Sequence, residues 1–214
     1  MTIQLYAFDT PNGRKISVAL EEMGLAYAVH VVDITKGEQN NPAFLKISPN
    51  NKIPAIVDPD GPDGLDGAPI SVFESGAILI YLAEKTGKFL PKETGARIAV
   101  FEWLMLQMGG FGPIPGQVHH FIALEDETER RYGLRRYMAE TRRLYGVMDR
   151  RLADQEFFAG ALSIADFAIL GWAWRHPKHQ VDLADFPNVQ RWYAALMARP
   201  AVARGFAVPL KRQA

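Results

Sequence analysis

Three short runs carry side chains able to grip a small charged molecule. Thr10-Pro11-Asn12-Gly13 falls where an apolar alternating run ends and a helical pattern begins. Amides at a helix N-terminus favour an anion, and Thr10 and Asn12 add a hydroxyl and a side-chain amide able to donate to the same one. In Asn51-Lys52-Ile53-Pro54-Ala55-Ile56, a proline opens a strand and removes a ladder donor. A cis Ile53–Pro54 bond would turn the Ile53 main chain outward, towards an extended peptide ligand; a trans proline at the start of an edge strand fits the same letters. In Glu74-Ser75-Gly76-Ala77-Ile78, Ser75 at a helix N-cap offers a hydroxyl to a carboxylate and Glu74 can hold an ammonium, the two charges of an α-amino-acid headgroup. Each run taken alone is also compatible with ordinary helix capping.

The chain contains no cysteine. Internal disulfides, zinc–thiolate sites, iron–sulfur ligation and a cysteine nucleophile are therefore excluded, and any thiol chemistry must take its sulfur from a bound molecule. In a thioredoxin-like sheet a Cys-x-x-Cys would occupy the Thr10–Gly13 turn. Polar, non-nucleophilic donors there suit a cradle that stabilises the thiolate of a bound thiol.

The elements that must position these runs follow from periodicity. Ile3 to Ala7 alternates as a strand; Ile16, Ala19, Leu20 and Met23 recur at helical spacing up to Gly24. Tyr27 to Val32 reads as a strand, Pro42 to Ile47 as a short helical turn, Ile53 to Val57 and Pro69 to Val72 as a hairpin pair, and Ser75 to Gly87 as a helix with its stop. This is β-α-β-α-β-β-α, a small open sheet with helices on its faces. Downstream, Ala96 to Met108, Glu125 to Leu152, Ser163 to Trp174 and Pro187 to Ala198 are helical, and the glycines and prolines from Gly109 to Gly116 must bend or break the chain. The fold class is α/β plus all-α, divided into 1–86, a linker at 87–94, and a helical 95–214.

Charge excludes some partners. With 24 basic and 24 acidic residues the chain lacks the basic excess that nucleic-acid and membrane-surface proteins rely on. No apolar run approaches the roughly 20 residues that span a bilayer. The opening Met-Thr-Ile-Gln-Leu-Tyr reads as a strand rather than a signal peptide, so a cytoplasmic address is expected.

The three runs occur in order within one β-α-β-β-α unit, and together they resemble the glutathione transferase superfamily. More narrowly they are similar to its Nu-class bacterial members, the glutathione-dependent disulfide-bond oxidoreductases. The resemblance rests on Thr10-Pro11-Asn12-Gly13, on Phe44 through Val57, on Phe73 through Ile78, on Gly116-Gln117-Val118-His119-His120-Phe121, and on Ser163-Ile164-Ala165-Asp166, the superfamily's capping box, in which Asp166 reaches back to Ser163 and Leu162 can staple onto Phe167. It implies a thioredoxin-like domain followed by an all-helical domain, a homodimer, and glutathione as bound cosubstrate with no metal. Residue by residue, it implies that Thr10 and Asn12 face the glutathione sulfur, that Gln39 and Lys52 hold the glycine carboxylate, that Ile53 before a cis Pro54 pairs with the cysteinyl backbone, and that Glu74 and Ser75 hold the γ-glutamyl headgroup. Arg136, with Arg135 beside it, matches an arginine that reaches a second glutathione or disulfide half.

The implied reaction is reduction of small disulfides by thiol–disulfide exchange, with organic hydroperoxide reduction as a side activity. Conjugation of glutathione to electrophiles is the alternative within enzymes; a non-enzymatic interaction protein on the same fold is the alternative outside them. Asp9 would raise a nearby thiol's pKa if its carboxylate pointed inward. Tyr6 reads as strand packing. Adjacent His119 and His120 cannot share a helical face as a metal pair and read as part of a second-substrate pocket. The arginine pairs at 130/131, 135/136, 142/143 and 150/151 read as a solvated face, and the acidic stretch from Asp58 to Asp66 as a surface hairpin.

Overall fold

The computed structural model describes residues 2–62, 67–208 and 210–211. The chain divides into two compact units, Met1–Leu90 with Arg199–Ala214, and Pro91–Ala198.

The first unit is built on a four-stranded sheet of order β2-β1-β3-β4, with β1 (Ile3–Ala7), β2 (Tyr27–Val31), β3 (Ala55–Asp58) and β4 (Ile70–Phe73). β1 runs parallel to β2 and antiparallel to β3, and β3 pairs antiparallel with β4. The period-2 alternation of β1 fixes its faces. Leu5 is in register with Ile56 and both are fully buried, whereas Tyr6 is in register with Ala55. On that second face Tyr6, Ile47 and Ile53 pack against Val32, Phe44 and Ala55. Phe44 comes from the single turn α2 (Pro42–Leu45), capped by Asn41. Tyr6 also stacks on His30, ring centroids 4.6 Å apart, as strand packing requires.

Helix α1 (Pro11–Met23) begins at an N-cap threonine followed by proline at N1 and ends at Gly24 in the left-handed conformation. It packs against α3 (Ser75–Thr86) and against α9 (Pro200–Ala207). Burial on two sides explains why Gly13 through Leu20 are all buried, Arg14, Lys15 and Ser17 among them, with no solvent-exposed stripe. Sequence periodicity passed over α9, which returns residues 199–208 to the first unit. The crossing is close: a Cβ on Gly205 would stand 2.6 Å from Val18 Cα. Ser17 Oγ donates to Gly205 O at 2.8 Å, and Arg14 Nη1 donates to Gly205 O and Val208 O at 3.2 and 2.8 Å.

The second unit holds α4 (Thr94–Gly109), α5 (Pro113–Ile122), α6 (Glu127–Ala153), α7 (Ile164–Ala173) and α8 (Pro187–Met197). The Gly/Pro run does break the helix at Gly109, but Pro113 starts a new one, proline being well placed in a first turn. At the head of α7 the Asp166 carboxylate accepts from Ser163 N and Oγ at 3.0 and 3.1 Å, closing a capping box. The same carboxylate accepts from Phe158 N at 3.2 Å and from Trp192 Nε1 at 2.9 Å, tying α7 to α8. Burial pushes the Asp166 carboxyl up to about 6, and these donors pull against it. Part of the acidic loop expected to be a surface hairpin, residues 63–66, lies outside the described residues.

Candidate functional site

Thr10 sits where β1 gives way to α1, in an extended conformation, and its Oγ1 accepts from Gly13 N at 3.2 Å. The turn closes tightly: a Cβ on Gly13 would lie 2.3 Å from Phe8 O, so only glycine fits. The expectation of a fan of helix amides is narrowed here. Pro11 has no N–H, that of Gly13 goes to Thr10 Oγ1, and that of Arg14 closes on Thr10 O at 3.0 Å. A ligand at this turn would rely on the Thr10 hydroxyl proton and on half-buried Asn12.

Asp9 does not aim an uncompensated charge at this turn. Arg14 Nη2 lies 2.8 Å from its Oδ1 and Lys211 Nζ lies 3.2 Å from Oδ2. Burial would raise the Asp9 carboxyl, yet the hydrogen bond and charge of Arg14, with those of Lys211, hold it below the ordinary carboxylate range.

The Ile53–Pro54 peptide bond is cis. Lys52 is exposed and Ile53 half-buried just ahead of β3. Ser48 Oγ donates to Lys52 O at 2.8 Å and fixes the approach to the strand. Gln39 belongs to a 3-10 turn, Glu38–Asn40, and its Oε1 is buried with no hydrogen-bond partner. A carboxylate cannot satisfy a carbonyl oxygen, so Gln39 could meet the expected glycine carboxylate only through its amide nitrogen.

Ser75 is the first residue of α3 rather than its cap. Glu74 takes the cap position, with φ 69° and ψ 117° and no side-chain cap bond, and its carbonyl accepts the first helical bond from Ile78 N at 2.9 Å. The left-handed φ of a non-glycine residue costs about 1–3 kcal/mol and is characteristic of ligand clamps. Glu74 is exposed while Ser75 is buried. Lys15 of α1 reaches the pair, with its Nζ donating to Ser75 Oγ at 3.2 Å. Sequence reasoning passed over Lys15; the signal for it was a lysine just ahead of the apolar run from Ile16 to Leu20, in a helix with no exposed stripe.

Arg136 lies in the second unit, on α6, exposed, and lines a cavity of about 580 Å³ with Arg135, Tyr132, Tyr137 and Ile114. Both arginines therefore reach the same cavity. His119 stacks on Trp172 and on His179, while His120 is exposed beside Phe121. His119 also lines a cavity of about 310 Å³ with Ile122, Pro177 and Gln180. No group of three or more potential metal-ligating side chains occurs among the described residues.

A thioredoxin-like sheet with a cysteine-free turn at the head of α1, followed in the chain by a predominantly helical unit, is the two-part order that the resemblance implied. Residues 10–85 match the family model of the glutathione S-transferase N-terminal domain, and residues 113–200 that of the C-terminal domain. The chain belongs to the glutathione S-transferase family and has its fold. It is 50% identical over 200 residues to the disulfide-bond oxidoreductase YfcG of Escherichia coli, covering 93% of this chain and 92% of that protein. With YghU, another disulfide-bond oxidoreductase of E. coli, it shares 36% identity over 222 residues, 95% of this chain and 73% of that one. A Burkholderia graminis glutathione transferase with two glutathione molecules bound per subunit superposes with TM-score 0.90 at 45% identity, over 99% and 90% of the two chains. A Pseudomonas putida glutathione transferase with one glutathione disulfide bound per subunit gives 0.89 at 44%, over 97% and 92%.

Proposed function

We propose that this protein reduces small disulfides with the thiolate of bound glutathione. The observation that carries the reading is the Thr10–Gly13 turn: a helix start at the end of β1 that holds Thr10 and Asn12 where a thioredoxin would hold its nucleophile, in a chain with no cysteine. The relatives named for disulfide-bond oxidoreduction and those crystallised with glutathione or its disulfide support it.

In the first step the glutathione thiolate attacks one sulfur of the disulfide. A new S–S bond forms, the old one breaks, and the departing thiolate takes a proton. A second glutathione thiolate then attacks the mixed disulfide, releasing glutathione disulfide and the second thiol. Two glutathiones are oxidised as one disulfide is reduced. The protein's part is to lower the thiol pKa and to orient the sulfurs. Thr10 and Asn12 serve the sulfur, Lys52 and Gln39 the glycine end, Ile53 beside Pro54 the cysteinyl backbone, Glu74 and Ser75 the γ-glutamyl headgroup, and Arg136 the second glutathione half. Ser163 and Asp166 keep a structural role.

We also read the protein as a cytoplasmic homodimer, with the exposed α4 face that carries Ile98 and Met105, each 52% exposed and seven residues apart, as a surface for self-association. Domain boundaries at 86/87 and 94/95 belong to the same reading.

The deciding experiment measures glutathione-dependent reduction of 2-hydroxyethyl disulfide beside conjugation of chlorodinitrobenzene. High reductase with little conjugation is expected. The reverse ratio would replace the reading by a conjugating transferase, and no activity with no retention on immobilised glutathione would replace it by an interaction protein.

A further inference from the structure

Lys15 has no place in the chemistry above. Its side chain lies wholly inside the first unit, 1% exposed, and its ammonium donates to Ser75 Oγ at 3.2 Å across 60 residues of sequence. Burying an ammonium is expensive, and a methionine or leucine would fill the same space without that cost. Packing alone therefore does not account for a lysine here.

Its surroundings do. In its ammonium form Lys15 has no lone pair, so Ser75 Oγ is then the acceptor and the Ser75 proton is turned away from Lys15. Burial brings the Lys15 pKa down to about 7, and the charge of Glu74, the exposed residue in left-handed conformation next to Ser75, acts the other way and favours the ammonium. A positive group thus stands directly behind a hydroxyl at the start of α3, with a carboxylate beside it. An α-amino-acid headgroup set against this arrangement places its carboxylate at the Ser75 hydroxyl and its ammonium at Glu74. The field of Lys15, little screened in the interior, adds to the attraction for the carboxylate.

We propose that Lys15 is a positioning residue that makes this site selective for a free α-carboxylate on the γ-glutamyl headgroup, acting through Ser75. The proposal rests on the reading that Glu74 and Ser75 bind that headgroup.

The test uses two ligands on the full chain: glutathione, and the glutathione analogue in which the α-carboxylate is replaced by hydrogen. Calorimetry gives a dissociation constant for each with the wild type, Lys15→Met and Lys15→Leu; the second apolar variant covers a failure of the first to fold. The wild type prefers glutathione. Each variant weakens glutathione about tenfold, the equivalent of about 1.4 kcal/mol, and leaves the analogue unchanged, so the preference collapses. A variant that weakens both ligands equally, or that keeps the wild-type preference, overturns the role of Lys15 while leaving the headgroup assignment standing. A wild type that binds the two ligands equally overturns the headgroup assignment and the proposal with it.

Discussion

The Asp9 carboxylate and the Arg14 guanidinium face each other at 2.8 Å, and Asp9 directly precedes Thr10, where a thiol is proposed to bind. The pair removes from that place the negative charge that would oppose a thiolate. Arg14 does more, because it also donates to Gly205 O and Val208 O and so hooks α9 onto α1.

Arg14→Met should therefore act twice. Losing the buried partner of Asp9 and the two carbonyl bonds destabilises the fold by about 3 kcal/mol, read as a lower midpoint in urea. Asp9, left with Lys211 alone, also raises the pKa of bound glutathione, measured by thiolate absorbance against pH. Asp9→Asn shifts that pKa the other way, because it removes the carboxylate and leaves Arg14 and Lys211. A thiol pKa unmoved by either change would disconnect the pair from the sulfur.

Asn12→Ala is expected to slow 2-hydroxyethyl disulfide reduction by about tenfold or more while glutathione still binds, since losing a donor to the sulfur raises the thiol pKa and leaves less thiolate at neutral pH, while the contacts to the rest of the ligand remain. Unchanged turnover would remove Asn12 from the sulfur cradle.

Gly205→Ala places a Cβ 2.6 Å from the Val18 main chain. The two helices must then separate, at a cost of about 1–3 kcal/mol. Limited proteolysis should release the segment after Arg199 faster than in the wild type. Equal cleavage rates would mean that the crossing relaxes freely.

Acid should destabilise the protein through buried His179 and half-buried His119. Burial, with the charges of Lys178 and Arg175, pulls His119 down to about 4; burial, with His119, His176 and Arg175, pulls His179 down to about 3. In the unfolded chain both bind a proton near 6.5. Between 6.5 and 4 the unfolded state holds more protons, so stability falls as pH drops. Asp166, raised to about 6, runs the opposite way below that pH and offsets part of the fall. A His179→Phe variant should show a flatter profile in a urea titration series from pH 6.5 to 4; a slope equal to that of the wild type would refute the assignment.

Lys15 works at the alkaline end. Its folded pKa of about 7 lies below its ordinary value of 10.5, so the unfolded state binds more protons above 7. Stability then rises from pH 7 to 9, and Lys15→Met should abolish that rise in thermal melts.

Much of the local structure of both units was legible in the letters. Alternation at Ile3–Ala7, Gly24 as a helix stop and Ser163-Ile164-Ala165-Asp166 as a capping box act over a few residues, where local sterics and hydrogen bonds decide the outcome. That the runs at Thr10, Ile53 and Glu74 fall at the starts of a helix, a strand and a helix was legible for the same reason. Helix α9 was not, because the pull that folds it onto α1 comes from Arg14, Ser17 and Val18, nearly 190 residues away. Ser75 also moved from cap to first helical residue, since the conformation of Glu74 is set by the chain around it.

The sequence by itself determined that any reactive sulfur must come from a ligand, because an absent cysteine cannot be supplied by folding. Only the tertiary structure decided what surrounds the turn proposed to hold it. It neutralised Asp9 with Arg14 and Lys211, and it brought Lys15 behind Ser75. Charges act through space, and in a folded interior their strength depends on distance and burial, neither of which is written in the order of residues.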